Sequence, residues 1–583
     1  MRFHGLTVLL LGCSLGLADD LTARFELTLN RVLKGGPPAY LPGFVLADAI
    51  PQHTRRFTEY CGDVSGRYIG ALSVYSKASG ARLSELENVV RKLLTLQRAD
   101  GHFGDPLDSG KATTRNMAIL WGNGRLLIGL LEYYQYNQRA EVLAAARKLG
   151  DFFAGMAPLY NSEEVQQQFS GDLLAVGYIC WTQCLEGLVE LARVTGENKY
   201  LDTARAVAAR VDRFPAQHSH GFLTSLRGVL DLHRLSGDAK LLAQVETQWQ
   251  ALVESGNVLP HGAIPEAFAP KIKRDEGCSE ADWLRLNLAL WNTTRKQQYL
   301  QAAEWTLFNE FQFNQFRTGD FGHRDLSALG AGPASARAWW CCTLHGLRAF
   351  PEIAACVFHE ENGTLFYDLP VNGYGRIGND FVVHADSQLG TVGIINLDIQ
   401  AAGKSSQTLA IRLPQWARNV GINLGGKKLD GILRNGYIHL TRTWKKNDRL
   451  LLAYDIRTRI MKKPGQTNLV AFTHGPWFLG VDNQGSPDFF GELTALNRVI
   501  AISTPSTGEV TLERVSSRQQ SRTPFAVPMA EFNLRYLPGG YPAQPQQAVL
   551  RPIAEQTSLH DNTEWIFWFQ TAPPGEELKT QRE

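Results

Sequence analysis

The sequence predicts a multidomain protein in which a toroid of helical hairpins, an (α/α) barrel, is followed by all-β sandwich domains. Three observations carry that prediction. Apolar residues recur at helical spacing from about residue 65 to 355. Four segments within that stretch resemble one another. Beyond residue 356 the helical period stops, and short alternating or β-branched runs separated by Gly, Asn and Asp take over.

In chain order, residues 1–18 have the form of a secretory signal: Arg2, an apolar run from Leu6 to Leu11, then Gly16-Leu17-Ala18 ahead of Asp19-Asp20. Cys13 in Leu10-Leu11-Gly12-Cys13 also approximates a lipid-attachment box, so the expected location is secreted or periplasmic, with or without a lipid anchor. Residues 19–358 are assigned to the helical domain. Its repeated hairpins begin at Gly129, Gly187, Gly228 and Leu286, and their second helices are led by Leu143, Leu201, Leu242 and Leu300. Alternating long and short intervals between these leucines suit a closed ring with inserted loops on one face better than an open array. Residues 359–484 read as a β-sandwich through runs such as TLAIRLP and RLLLAYDI. Residues 485–583 carry more Pro and Gln and weaker strands such as EWIFWFQ, and are expected to form a second sandwich or a β-rich extension of the first.

The chain has 583 residues, 44% hydrophobic and 20% charged, which is the composition of an ordinary folded protein. Its 59 basic and 57 acidic residues leave a formal charge of +2 and no broad basic field, so nucleic acid is not an expected partner. No run after the signal reaches the length of a membrane helix, which leaves no integral membrane segment in the mature chain. A carbohydrate or other neutral small-molecule partner fits this balance better, and a homodimer is an expected assembly.

The chemistry-bearing residues gather at the ends of the repeats. Of eight cysteines, seven remain after the signal, an odd number that requires at least one thiol to be free, metal-bound or paired between chains. Cys180 and Cys184 sit in an apolar helical stretch and read as core. Glu266, Glu276 and Cys278, with Cys341-Cys342 further on, offer two carboxylates and three thiols, a donor set of the kind zinc takes. The spacing alone equally allows a vicinal disulfide or two core thiols.

At these residues the sequence resembles glycoside hydrolase family 127, the β-L-arabinofuranosidase group. The likeness runs nearly the whole chain: DVSGRYIGALSVY at 63–75, LTLQRADGHFG at 94–104, PEAF at 265–268, Glu276-Gly277-Cys278, Cys341-Cys342, LAIRLPQWA at 409–417 and VAFTHGP at 470–476. The resemblance implies an (α/α)6 toroid, six helix pairs, as the catalytic domain. It also implies Zn2+ held by Glu276, Cys278, Cys341 and Cys342, with Cys341 as nucleophile and Glu266 as general acid/base of a retaining exo-glycosidase acting on terminal L-furanosides of an oligosaccharide or polysaccharide. His218 matches a histidine that the family places against the sugar.

Three departures bear on the substrate. Family members often have Gly-His-Tyr where this chain has Gly66-Arg67-Tyr68, His-Lys-Ile where it has Gly124-Arg125-Leu126, and Cys-Cys-Pro-Pro-Asn where it has Cys341-Cys342-Thr343-Leu344-His345. Two expectations follow for Arg67: contact with an acidic, carboxyl-bearing furanose, or simple pairing with Asp63. Trp339 and Trp340 read either as a stacking wall for a sugar ring or as core packing. His102, His261 and His345 are further histidines near these motifs. The rival functions are a non-catalytic carbohydrate-binding protein with structural zinc, and another toroid activity such as a polysaccharide lyase or unsaturated glucuronyl hydrolase.

Overall fold

The computed structural model describes residues 20–35, 40–171, 175–211, 217–269, 273–336, 340–491, 499–500, 508–515, 530–537, 546–555 and 562–571. The expected signal at 1–18, Cys13 and Trp339 lie outside these residues.

The helical domain is built from α1 (Asp20–Lys34), α2 (Asp63–Ser79), α3 (Ser84–Leu94), α4 (Thr114–Asn137), α5 (Ala140–Tyr160), α6 (Leu185–Thr195), α7 (Asn198–Ala208), α8 (Ser219–Ser236), α9 (Ala239–Glu254), α10 (Gly277–Thr294), α11 (Gln297–Phe308) and α12 (Trp340–Ala354). The even-numbered helices pack in the cyclic order α2, α4, α6, α8, α10, α12 and back to α2, closing an inner ring. Outside it α3 packs on α2, α5 on α4, α7 on α6, α9 on α8 and α11 on α10, while the N-terminal helix α1 covers α12. The result is an (α/α)6 toroid.

Sequence pattern explains the two layers. On outer α3, the buried residues Leu86, Val89, Val90 and Leu93 make a single apolar stripe. Inner α4 is instead buried almost continuously from Asn116 to Leu131, as a helix with neighbours on every side must be. Side-chain caps start the helices: Thr113 Oγ1 accepts from the Asn116 amide at 3.1 Å, and Asp238 accepts from that of Lys240 at 2.9 Å. All four repeated hairpins are present, as α4–α5, α6–α7, α8–α9 and α10–α11. The pairs α2–α3 and α12–α1 complete the ring although the repeat does not mark them. Glycines set the closest helix contact: a Cβ on Gly66 of α2 would lie 2.6 Å from the Arg125 backbone of α4, and one on Gly129 would lie 2.3 Å from the Gly66 carbonyl.

One element departs from the all-helical expectation for this domain. A hairpin of β1 (His323–Leu326) and β2 (Gly330–Ala336) leaves the toroid and pairs, through Gly330 and Ala331, with the strand at Trp565–Ile566. It thereby joins an eleven-stranded sheet otherwise formed by strands from Thr458 onward. Between Phe358 and Ile456 a six-stranded and a five-stranded sheet bury a common core, including Val383, Leu397 and Leu452 from one and Leu365, Leu409 and Ile411 from the other. Strands at Thr458–Lys463, Gln466–His474 and Trp477–Asp482, expected within the 359–484 sandwich, belong instead to the eleven-stranded sheet that includes the C-terminal strands. Their apolar alternation specifies a strand but not which sheet receives it.

Polar contacts fasten the toroid to the β domains. Arg412 makes a two-point pair with Glu304 of α11, 3.0 Å at each contact, with both side chains nearly fully buried. Asn309 donates to the Pro476 carbonyl at 2.9 Å and accepts from the Phe478 amide at 2.6 Å.

Candidate active site and metal centre

Two inner helices begin at the same point. Glu276 precedes α10 in an extended conformation, Cys278 lies in the first turn of α10, and Cys341 and Cys342 open α12. The positive ends of two helix dipoles therefore face a group of anionic ligands. Gly277 permits the approach: a Cβ there would lie 2.6 Å from Asn314 Oδ1, 2.9 Å from Phe321 Cβ and 3.1 Å from Cys342 Cβ. One carboxylate oxygen and three sulfurs gather with all four atoms within 4.8 Å of one another. Cys278 Sγ is 3.6 Å from Cys342 Sγ, which is 3.9 Å from Cys341 Sγ. These are free thiols, so the vicinal disulfide that the sequence allowed is not formed, and the group could hold one metal ion. Cys180 and Cys184 are buried in the helical core, as expected.

The three thiols are not equivalent. Glu276, Cys278 and Cys342 are buried while Cys341 is partly exposed. Hydrogen bonds from Cys278 and Cys342 hold the Cys341 thiol well below its usual range, whereas burial drives those of Cys278 and Cys342 well above it. Burial and the neighbouring Cys341 likewise push Glu276 far up. The accessible sulfur is thus the one that most readily carries the negative charge.

Glu266 is delivered by a short irregular ladder. The Glu266 carbonyl accepts from the Ser219 amide at 2.9 Å, the Glu266 amide donates to the Arg274 carbonyl at 3.0 Å, and the bridges His218–Ala267 and Pro265–Asp275 flank it. The Arg274 guanidinium holds both Glu266 oxygens, with Nη2 2.8 Å from Oε1. Burial raises the Glu266 pKa, but Arg274, His323 and His218 together outweigh it and leave the carboxyl below its ordinary value. His218, at the start of α8, lies with Nε2 3.6 Å from Glu276 Oε2 and edge-on to Trp121. Burial lowers its pKa to about 4, so the ring is neutral at ordinary pH, and it interacts with both Glu266 and Cys341.

The family model for the β-L-arabinofuranosidase GH127 catalytic domain matches residues 52–355, more than half of the chain, and that for the GH127 middle domain matches residues 376–456. The chain belongs to glycoside hydrolase family 127. A GH127 β-L-arabinofuranosidase from Geobacillus stearothermophilus T6 has a similar structure, with TM-score 0.68 at 14% identity over 96% of this chain and 100% of that one. A second, a GH127 β-arabinofuranosidase, gives TM-score 0.67 at 16% identity over 94% of each chain. No curated protein matches the sequence.

Within this family 127 chain the remaining expected site residues separate. Arg67 pairs with Asp63, its Nε donating to Asp63 Oδ1 at 2.7 Å, and its Nη1 lies 3.6 Å from Cys278 Sγ. Trp340 packs edge-to-face on Phe44 at 5.0 Å and Phe57 at 6.2 Å, beside the Arg55 guanidinium. His102 bonds to Asp100 and to the Asp105 carbonyl, and His261 lies by Glu310; neither contacts the ligand group. His345 joins His220 around Asp282 in a second buried cluster on α8, α10 and α12.

Sequence reasoning missed Arg274, His323 and the His220–Asp282 pair. His323 sits on β1 with Nδ1 2.7 Å from the Asp275 carbonyl and acts on Glu266, His218 and Cys341. Only the eight-residue separation of Arg274 from Glu266 offered a signal, and a charged pair at that distance is common in any loop. Among the described residues no helix is long and apolar enough to cross a membrane.

Proposed function

We propose that the protein is a zinc-dependent, retaining exo-glycosidase that removes terminal neutral L-furanosides of the β-L-arabinofuranoside kind from oligosaccharides or polysaccharides. The observation that carries this reading is the asymmetric ligand group: three buried donors and one partly exposed cysteine, Cys341, with His218 interacting with both Cys341 and Glu266.

The donor set suits zinc. Tetrahedral coordination with Zn–S near ~2.3 Å separates sulfurs by ~3.8 Å, and the two recorded sulfur–sulfur distances are 3.6 and 3.9 Å. Glu276, Cys278, Cys341 and Cys342 would hold the ion, which when bound keeps the thiols ionised without a proton acceptor.

The residues of the chain then divide the work. The Cys341 thiolate attacks the anomeric carbon as the bond to the leaving oxygen breaks, and the carboxyl of Glu266 gives that oxygen its proton. In the second half Glu266, now a carboxylate, takes a proton from water as the water displaces the sulfur, so two inversions give net retention. Neutral His218 offers a hydrogen bond to a sugar hydroxyl. The bonding of Arg67 to Asp63 and its position against Cys278 favour a neutral sugar over an acidic one.

The test is metal analysis of the purified protein with hydrolysis of a panel of aryl pentofuranosides. About one zinc per chain and turnover of a neutral L-furanoside with retained configuration are expected. A folded, reduced protein without metal, or inversion at the anomeric carbon, would overturn the mechanism.

A further inference from the structure

The ligand group poses a charge problem that it cannot solve by itself. One carboxylate and three thiolates carry four negative charges, a divalent ion cancels two, and the remainder sits in a site three of whose four ligands are buried. Uncompensated charge in such surroundings is costly. Both side-chain hydrogen bonds of Arg274 go to Glu266, which is not one of the four ligands.

Arg67 meets the need. It is 4% exposed, is permanently cationic, and places Nη1 3.6 Å from Cys278 Sγ. Its direction is fixed twice over. Asp63, one turn earlier on α2, accepts from Nε at 2.7 Å, and the same Asp63 oxygen accepts from Trp121 Nε1 of α4 at 2.9 Å. The Gly66–Gly129 contact between α2 and α4 holds those two helices at the separation this bridge spans.

We propose that Arg67 is a positioning residue that supplies the counter-charge of the metal–thiolate group, with Asp63 and Trp121 as its orienting partners, and that it makes no specificity contact with the sugar. This rests on the zinc reading of the four ligands.

The experiment is competitive zinc titration against a chromophoric chelator on the full-length protein and the variants Arg67→Met, Arg67→Lys and Asp63→Asn. The thiolate-to-metal absorption of the Co2+-loaded forms serves as a second readout. Loss of a buried counter-charge at contact distance is expected to lower zinc affinity at least about tenfold in Arg67→Met, with Arg67→Lys within about threefold of wild type. Asp63→Asn keeps the guanidinium charge and removes the opposing anion, so its affinity is expected to equal or exceed that of wild type. Wild-type affinity in Arg67→Met, or an equal loss in the Met and Lys variants, would overturn the counter-charge role. If Arg67→Met does not fold, Asp63→Asn decides: a tenfold loss there would mean that packing, not charge, is what Arg67 provides. A wild type that binds no zinc would sink the metal reading itself, a result distinguishable from all of these.

Discussion

Arg274 grips both carboxylate oxygens of Glu266, although its own side chain is 42% exposed to solvent. The pair suits the base half of the proposed reaction and opposes the acid half, because a nearby cation favours the ionised carboxyl. Arg274→Met should therefore raise the Glu266 pKa. Since the acid form is lost as pH rises through that pKa, the alkaline limb of the kcat/KM profile should move upward, by less than a buried cation would give because solvent screens so exposed a partner. An unmoved limb would mean that Glu266 is not the proton donor.

Replacement of the accessible sulfur should separate catalysis from metal binding. Cys341→Ser is expected to lower turnover by at least about 10³-fold, the order seen when a nucleophile is removed. Cys342→Ala, which removes a buried ligand, should lose the metal as well, as elemental analysis of the two variants would show. Substantial turnover by Cys341→Ser would assign the nucleophile elsewhere.

Gly277→Ala tests the closeness of the two helix starts. The added methyl would meet Asn314, Phe321 and Cys342 at 2.6 to 3.1 Å, so the first turns of α10 and α12 must separate. A loss of about 1–3 kcal/mol in stability is expected by chemical denaturation, as for other overpacked sites, together with weaker metal retention. Unchanged values for both would show that the two segments yield freely.

The second buried cluster should matter for stability. Asp282 Oδ2 lies 2.5 Å from His220 Nδ1 and 3.3 Å from His345 Nδ1, and its Oδ1 accepts from Arg285 Nη1 at 2.7 Å. Burial alone would raise the Asp282 pKa, but the two histidines hold it well below the usual range. Its stabilising contribution is therefore present above the unfolded carboxyl value near ~4 and lost as pH falls further. Asp282→Ala should cost about 3–5 kcal/mol at neutral pH, since it strands buried donors. Asp282→Asn should cost less, and equal losses would argue against a charge-based role.

How much was legible follows from how each feature is encoded. The four hairpins were readable because apolar period, polar turn and second helix recur within about forty contiguous residues. The pair α12–α1 was not, because α1 and α12 come from opposite ends of the domain and meet only when the ring closes. Glu276, Cys278, Cys341 and Cys342 stood out as a carboxylate and three thiols at the ends of the repeats, and the family resemblance joined them into one ligand set. Arg274 and His323 did not, since isolated bridges and a strand of the β1–β2 hairpin carry them to Glu266.

The sequence by itself determined the helical and β halves of the chain, the family and the donor set, because these reside in local periodicity and in chemically distinctive side chains. Tertiary structure alone decided which of the three cysteines is partly exposed, that Arg274 lowers the Glu266 pKa, and that Arg67 turns to Cys278 rather than to open solvent. Each of these depends on distances of a few ångströms between segments remote in the chain, and on how much water their meeting excludes, and neither quantity is written in any one stretch of residues.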